Sequence, residues 1–430
     1  MMQAADSDTV SHGPDTTADA SSGALKGLRI LDLSRVLAGP WASQILGDLG
    51  AEVIKVEQPD SGDDTRAWGP PFLADGDAGP DERFSAYFLG CNRNKRSIAV
   101  DIANPKGAAL IRALAKDSDV VLENFRVGAL ERYGLDYASL ATINPALVYC
   151  SITGFGQSGP LASRPGYDFV VQGMGGLMSI TGQPEGTPGA EPMKVGVAVS
   201  DIFTGLYATI SILAALRHRD ATGEGQHLDC ALLDTQVAVL ANQAMNWLVG
   251  GMVPKPMGNL HPNVVPYRTF PTRDGHAIVA TGNDRQFHAL CRLLGLEQMT
   301  TDPRFLDNAS RVAYRAEVEK PLGDAIAGWA TADFIAAMAE AGVPGGPINR
   351  IDQVFEQPQI AARGLVQEMR LPSGTSFRAV GFPVKLSATP ATYRAPPPAL
   401  GAQTGEVLQT LLNLSETEVS ELRAAGVVGG

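Results

Sequence analysis

The stretch Leu28–Glu57 constrains the fold most. Leu28–Leu33 is a short apolar run that reads as a buried strand. Ala38-Gly39-Pro40 is a turn, with Pro40 suited to a first helical position. Trp41–Leu49 follows with helical spacing, Gly50 stops it, and Ala51–Glu57 reads as a second strand. Two strands joined through one helix pair in parallel, and a parallel pair needs a crossover of this kind. The segment therefore implies an α/β fold with an open parallel, Rossmann-like sheet and right-handed crossovers. In such sheets the first strand-to-helix turn is a natural seat for phosphates.

The alternation continues. Asn104-Pro105 caps a helix to about Asp117, and Asp119–Glu123 is a strand. Asn124-Phe125 stands at that strand's carboxyl end, where open α/β sheets bind ligands, so Phe125 either packs on an adenine or closes the core. Ala146–Thr153 is another strand. Residues 58–90, heavy in Gly, Asp and Pro, read as a long loop. Gly154–Gly159 fits the dinucleotide spacing G-x-G-x-x-G, but Pro160 and Pro165 follow, so it cannot open the helix that this fingerprint requires. Asn92–Ser97 is the most basic stretch: either a solvated turn before strand Ile98–Ile102, or a patch for phosphate or carboxylate.

An apolar segment beginning at Val195 stops at Ser200-Asp201, and a long helix runs on to about Arg219. Asp201 thus lies at a helix N-terminus, where free N–H groups and the macrodipole favour a negative charge. It is either an ordinary cap or a carboxylate kept ionised for chemistry. A second long helix spans about 231–249, and beyond 252 the pattern changes. Arg273-Asp274-Gly275 marks a hairpin, and helical stretches follow around 284–294 and 310–329. Thr331–Ala341 is a helix, Val343–Ile348 a rigid loop, 365–388 strands and 416–426 a terminal helix. The expected organisation is a disordered tail (1–24), a large α/β domain (25–225), a linker helix with a small α+β domain (226–335), and a last segment (336–430).

A formal net charge of −12 gives no general attraction to nucleic acid or to an anionic membrane. Four cysteines, far apart and without C-x-x-C spacing, suit reduced thiols in a cytoplasmic protein, and six scattered histidines offer no metal motif. The tail, without Lys or Arg up to residue 24, lacks the basic region of a secretory signal.

Ordered stretches along the chain resemble the family III CoA-transferases. They include Gly27-Leu-Arg-Ile-Leu-Asp-Leu, Leu46-Gly-Asp-Leu-Gly-Ala-Glu-Val-Ile-Lys-Val-Glu, Asn94-Lys-Arg-Ser-Ile, Glu123-Asn-Phe, Gly166-Tyr-Asp and Ser200-Asp-Ile-Phe-Thr-Gly. The resemblance implies that Asp201 is a nucleophile, forming a mixed anhydride and then an aspartyl-CoA thioester. It implies that Ala38, Asn124, Phe125, Arg132 and Tyr167 contact CoA, with Asp168 in place of a family glutamate beside the site. It also implies a large domain built from both chain ends, an interlocked homodimer, and acyl-CoA and a free carboxylic acid as substrates without a resident cofactor or metal. The family's glycine-run loop is replaced by Gly258–Pro266. The branch of best resemblance implies succinyl-CoA as donor and a dicarboxylate such as glutarate or hydroxymethylglutarate as acceptor. Arg93 is then a candidate clamp for the second carboxylate, or a contact for a CoA phosphate. Two other readings share the fold: an α-methylacyl-CoA racemase and a non-catalytic CoA-binding protein. The racemase needs a histidine where this chain has Tyr167, a poor proton acceptor with its ordinary pKa near ~10.

Overall fold

The computed structural model describes residues 23–76 and 83–430. The expected disordered tail lies outside them except for Gly23 and Ala24. The strands, in chain order, are β1 (Arg29–Asp32), β2 (Glu52–Glu57), β3 (Phe72–Ala74), β4 (Arg83–Ser85), β5 (Lys95–Ala99), β6 (Val120–Glu123), β7 (Val148–Thr153) and β8 (Gln226–Ala231). Then come β9 (Tyr267–Pro271), β10 (His276–Ala280), β11 (Gly345–Pro347), β12 (Val366–Arg370) and β13 (Ser376–Val380). The chain divides into two compact units, and the larger takes its described residues from the stretches ending at Gly175, from Val197–Val239 and from Gly364–Gly430.

The larger unit carries a six-stranded parallel sheet in the order β5-β2-β1-β6-β7-β8. Counting only these six strands, the order is 3-2-1-4-5-6, so the winding reverses between β1 and β6 and opens a crevice at their carboxyl ends. Both faces are covered, as a parallel sheet requires. On one face α1 (Ala38–Asp48), with α6 (Val199–Thr222), buries Ala42, Leu46, Ala208 and Ile212 against Ile30, Val53, Val120 and Val148. On the other, α3 (Pro105–Lys116) and the C-terminal helices Thr404–Leu412 and Glu416–Ala424 bring Ile111, Leu114, Val407 and Val419 against Leu31, Ile54, Ile98 and Val121. Helices α1 and α6 meet closely because Gly205 has no side chain; a Cβ there would lie 2.6 Å from the Ala38 carbonyl oxygen.

The smaller unit comprises Gly176–Gly196 and Leu240–Arg363. Its antiparallel sheet, β11-β10-β9, packs with helices around Phe270, Phe287, Val318 and Phe334. Arg311 is 1% exposed, yet each of its three nitrogens has a partner: it donates to the Val265 and Phe305 carbonyls, each at 3.0 Å, and to Asp284 at 2.7 Å.

Several sequence expectations shift. The boundary expected at 226 falls later, because β8 completes the parallel sheet, and Gly176–Gly196 leaves the larger unit earlier. The segment expected to start at 336 joins the larger unit only at Gly364, because Gly345–Pro347, read as a loop, pairs with β10. The long helix at 231–249 is two, α7 (Leu232–Ala238) and α8 (Ala241–Gly250), interrupted where Ala241 takes a φ of 47°. The loop 58–90 contains a 3-10 turn at Asp64–Ala67 capped by Asp63, the β3–β4 ribbon, and α2 (Ala86–Cys91) capped by Ser85. Helix α1 starts two residues before Pro40 rather than at it.

Arg93 is the largest departure. It precedes β5, at the amino end of the sheet, whereas the crevice lies at the carboxyl ends. The residue is 5% exposed; Nε and one terminal nitrogen grip the Asp48 carboxylate at 2.8 and 2.5 Å, and the other donates to the Val380 carbonyl at 2.9 Å. Neighbouring Asn94 bonds Asp48 and the Thr392 carbonyl, so this cluster ties the C-terminal segment onto the sheet. Removing one partner of such a buried pair strands the other charge, at a cost of about 3–5 kcal/mol. Arg93→Met is expected to lower the melting temperature by several degrees in calorimetry; an unchanged melting temperature would contradict this structural assignment.

Candidate active site

The crevice at the β1–β6 reversal holds two cavities, of about 530 and 360 Å³. Arg35, Phe125 and Ala129 line both. The larger also takes in Ala38, Asn124, Tyr167 and Asp201, and the smaller Arg132 and Tyr133. The structure thus places Ala38, Asn124, Phe125, Arg132 and Tyr167, five of the six residues expected to bind CoA, on the walls of these two cavities. Asp168 lies behind the wall and Arg93 is elsewhere.

The first strand-to-helix turn is held from below. Lys55, 0% exposed in the middle of β2, donates to the Ser34 carbonyl at 2.9 Å and to Asp63 at 2.8 Å. Asp63 in turn accepts the Val36 N–H, at 3.2 and 3.3 Å to its two oxygens. Val36 takes a φ of 73°, a left-handed backbone that a β-branched residue rarely adopts, so the turn needs this grip. Burial alone would raise the Asp63 carboxyl, but the Lys55 ammonium beside it brings it down to about 2. Asn124 stitches the turn to the β6 corner. Its Oδ1 accepts the Arg35 N–H at 3.0 Å and its Nδ2 donates to the Arg35 carbonyl at 2.7 Å. Both ends of the amide are spent on backbone, so Asn124 shapes the cleft as much as it lines it.

The loop between β7 and α5 (Asp168–Met174) forms the opposite wall. Its ends touch backbone to backbone, because a Cβ on Gly154 would lie 2.5 Å from the Gly166 Cα. That close approach is what Gly154 of the glycine-spaced stretch serves; no helix opens there. The loop presents Arg164, with its guanidinium 5.7 Å from the Phe155 ring centroid.

Asp201 stands in the first turn of α6, two residues after the first helical residue, Val199. The cap comes from another helix: Asp168 Oδ1 accepts the Ser200 N–H at 2.8 Å, while its Oδ2 accepts from Gln172 at 2.7 Å. The α6 terminus therefore already faces one carboxylate. Burial, reinforced by Asp168, pushes the Asp201 carboxyl up to about 7. This runs against the expectation that the helix terminus keeps it ionised: burial and the Asp168 charge both favour the neutral carboxyl. Tyr87 on α2 faces the same pair; burial and then the charge of Asp201 push its phenol up to about 12. Trp68, a wall of the larger cavity, meets Tyr87 edge-on with 5.3 Å between ring centres. A half-desolvated carboxylate beside a thioester-sized cleft, with no acid–base partner of ordinary pKa called for, fits a nucleophile.

Sequence reasoning missed Trp68 and Tyr87, which it placed in a loop, and Lys55 and Asp63. A lysine between Ile54 and Val56 in a buried parallel strand was the available signal, since buried lysines require partners.

The chain matches CoA-transferase family III over residues 25–404. It belongs to that family. This CoA-transferase is 50% identical over 393 residues to the succinate–glutarate CoA-transferase of Agrobacterium fabrum, covering 91% of this chain and 97% of that protein. It is 43% identical over 404 residues to the human succinyl-CoA:glutarate CoA-transferase, covering 94% and 90% respectively. Among solved structures, a CAIB/BAIF family protein from Brucella suis superposes with a TM-score of 0.79 at 48% identity, covering 91% of this chain and all of that one.

The raised Asp201 carboxyl has a sign that can be tested. Below the ordinary carboxyl range, folded and unfolded chains are both protonated. Between that range and about 7 the folded state holds the extra proton, so stability falls as pH rises, and the full penalty is present above 7. Asp201→Asn is therefore expected to melt a few degrees above the parent at pH 8, with the gap closing toward pH 4.5, by differential scanning fluorimetry. A gap that does not change with pH would refute the burial account.

Proposed function

We propose that this CoA-transferase moves CoA from succinyl-CoA to glutarate or a similar dicarboxylate, through covalent intermediates on Asp201. The observation that carries the reading is Asp201 itself: a partly buried carboxylate in the wall of the same cleft as Ala38, Asn124, Phe125 and Tyr167, read here as CoA contacts. The names of the relatives at 43–50% identity support the acid pair.

In the first step the Asp201 carboxylate attacks the thioester carbonyl. The C–S bond breaks and CoA leaves as thiolate, with a succinyl–aspartyl anhydride left behind. The thiolate then attacks the aspartyl carbonyl and expels succinate, giving an aspartyl-CoA thioester. Glutarate attacks that thioester to form a second anhydride and release the thiolate, which takes the glutaryl group and frees Asp201. Each step exchanges one acyl bond for another, so the thioester energy is conserved. A carboxyl near neutrality is more basic than an exposed aspartate and hence the better nucleophile once ionised. Arg126 and Arg164, exposed on the cleft rim, supply positive charge for a polyanionic thioester and an acidic acceptor.

The active form is read as an interlocked homodimer, and its compartment as the cytoplasm. Exposed apolar side chains on α5 and α6, among them Met174, Leu206, Tyr207 and Ile210, support an assembled state. The four free, buried cysteines support a reducing compartment. A stable folded monomer in sedimentation at low concentration would contradict the dimer. For the activity, succinyl-CoA with labelled glutarate is expected to yield labelled glutaryl-CoA with the parent protein and none with Asp201→Asn. Turnover by a sequence-verified Asn variant would remove Asp201 from the mechanism.

A further inference from the structure

Glu123 is the last residue of β6, immediately before the Asn124-Phe125 corner at the reversal of the sheet. Its side chain sits in a residue only 5% exposed, and its Oε2 accepts the Phe125 N–H at 2.7 Å. Ser151 on the adjacent strand β7 lies beside the carboxyl and favours its ionised form, and the Ser151 Oγ lies 2.9 Å from His227 Nε2 on β8. Phe125, whose backbone Glu123 holds, is a shared wall of the two cavities of the crevice.

The surroundings leave this carboxyl without a counter-charge. Tyr149 on β7 faces it, but its phenol donates to the Leu135 carbonyl at 2.8 Å. Cys150 on the same strand is a buried neutral thiol. His227 stacks on Tyr137 of α4 (Tyr137–Ile143), 5.1 Å between ring centres, and its ring is held below the ordinary histidine range by burial. Arg126, Glu131 and Asp136 ring the small cavity of about 230 Å³ behind the corner, one cation against two anions. Among the described residues no ion pair reaches Glu123. Burial pushes its carboxyl up to about 7, although the Phe125 N–H and Ser151 favour the ion.

We propose that Glu123 is a positioning residue for coenzyme A: its ionised carboxylate fixes Phe125 between the two cavities, and uptake of a proton loosens that corner and weakens CoA binding. The physical basis is that a backbone N–H bonded to a charged acceptor is held more strongly than one bonded to a neutral acceptor. The inference rests on the reading above only in taking CoA as the occupant of the crevice. No bond is made or broken; the step is a proton moving between solvent and carboxyl.

The test is equilibrium CoA binding by titration calorimetry at pH 6, 7 and 8, in an Asp201→Asn background so that neither turnover nor Asp201 titrates. The parent is expected to lose about fivefold more affinity between pH 8 and pH 6 than Glu123→Gln, the conservative variant that keeps an acceptor for the Phe125 N–H but cannot ionise. The 3′-phosphate of CoA titrates near ~6 in both proteins, so the comparison cancels its contribution. Glu123→Leu is expected to bind CoA weakly at every pH with its near-ultraviolet circular dichroism unchanged. Identical pH dependence in parent and Glu123→Gln overturns the proposal, as does tight binding by a folded Glu123→Leu. If the leucine variant does not fold, the glutamine comparison decides. A wild-type protein that binds CoA with the expected pH dependence yet fails to move it between acids would sink the transfer reading and leave this proposal intact.

Discussion

The buried ion pair between Lys55 and Asp63 is the contact on which the crevice depends. Both side chains are shut away from solvent, with 2.8 Å between charged atoms. One end of the pair holds the Ser34 carbonyl, and the other holds the Val36 N–H in its left-handed conformation. A buried pair is weak evidence for net stability, because desolvation offsets most of the attraction. What it supplies here is a fixed shape for the first strand-to-helix turn, a segment that would otherwise relax toward an ordinary backbone. Asn124 then carries that shape across the sheet reversal to the β6 corner through two bonds to Arg35. The crevice is therefore the visible surface of a buried polar framework.

Asp201 shows the opposite use of burial. Lys55 and Asp63 neutralise each other, whereas Asp201 sits beside a second carboxylate, Asp168, which has already taken the α6 terminus. The result is a destabilised anion whose carboxyl is raised to about 7. Stability is given up at the residue proposed as the nucleophile, and perturbed carboxyls of this kind are common in active sites.

Much of this was legible locally. The β1–α1–β2 unit, the β9–β10 hairpin at Arg273-Asp274-Gly275 and the helix beginning near Asp201 each follow from periodicity and turn residues within about thirty positions. The residues that failed are those whose partners lie far away along the chain. Arg93 meets Asp48 and Val380 and so serves the amino edge of the sheet, a role that no local pattern carries. Asp168 looked like a site residue by position, yet its role as a cap for Ser200 depends on two helices being brought together. The elevated carboxyls of Asp201 and Glu123 likewise come from desolvation, a tertiary quantity that residue type alone does not encode.

The central claim is that Asp201 becomes covalently acylated. The most direct measurement is peptide mapping by mass spectrometry of protein mixed with succinyl-CoA without an acceptor acid and quenched in acid within milliseconds. The account predicts an added acyl or CoA mass on the peptide containing Asp201, and none on Asp201→Asn. An adduct on another residue, or its absence from every peptide during demonstrated turnover, would contradict it.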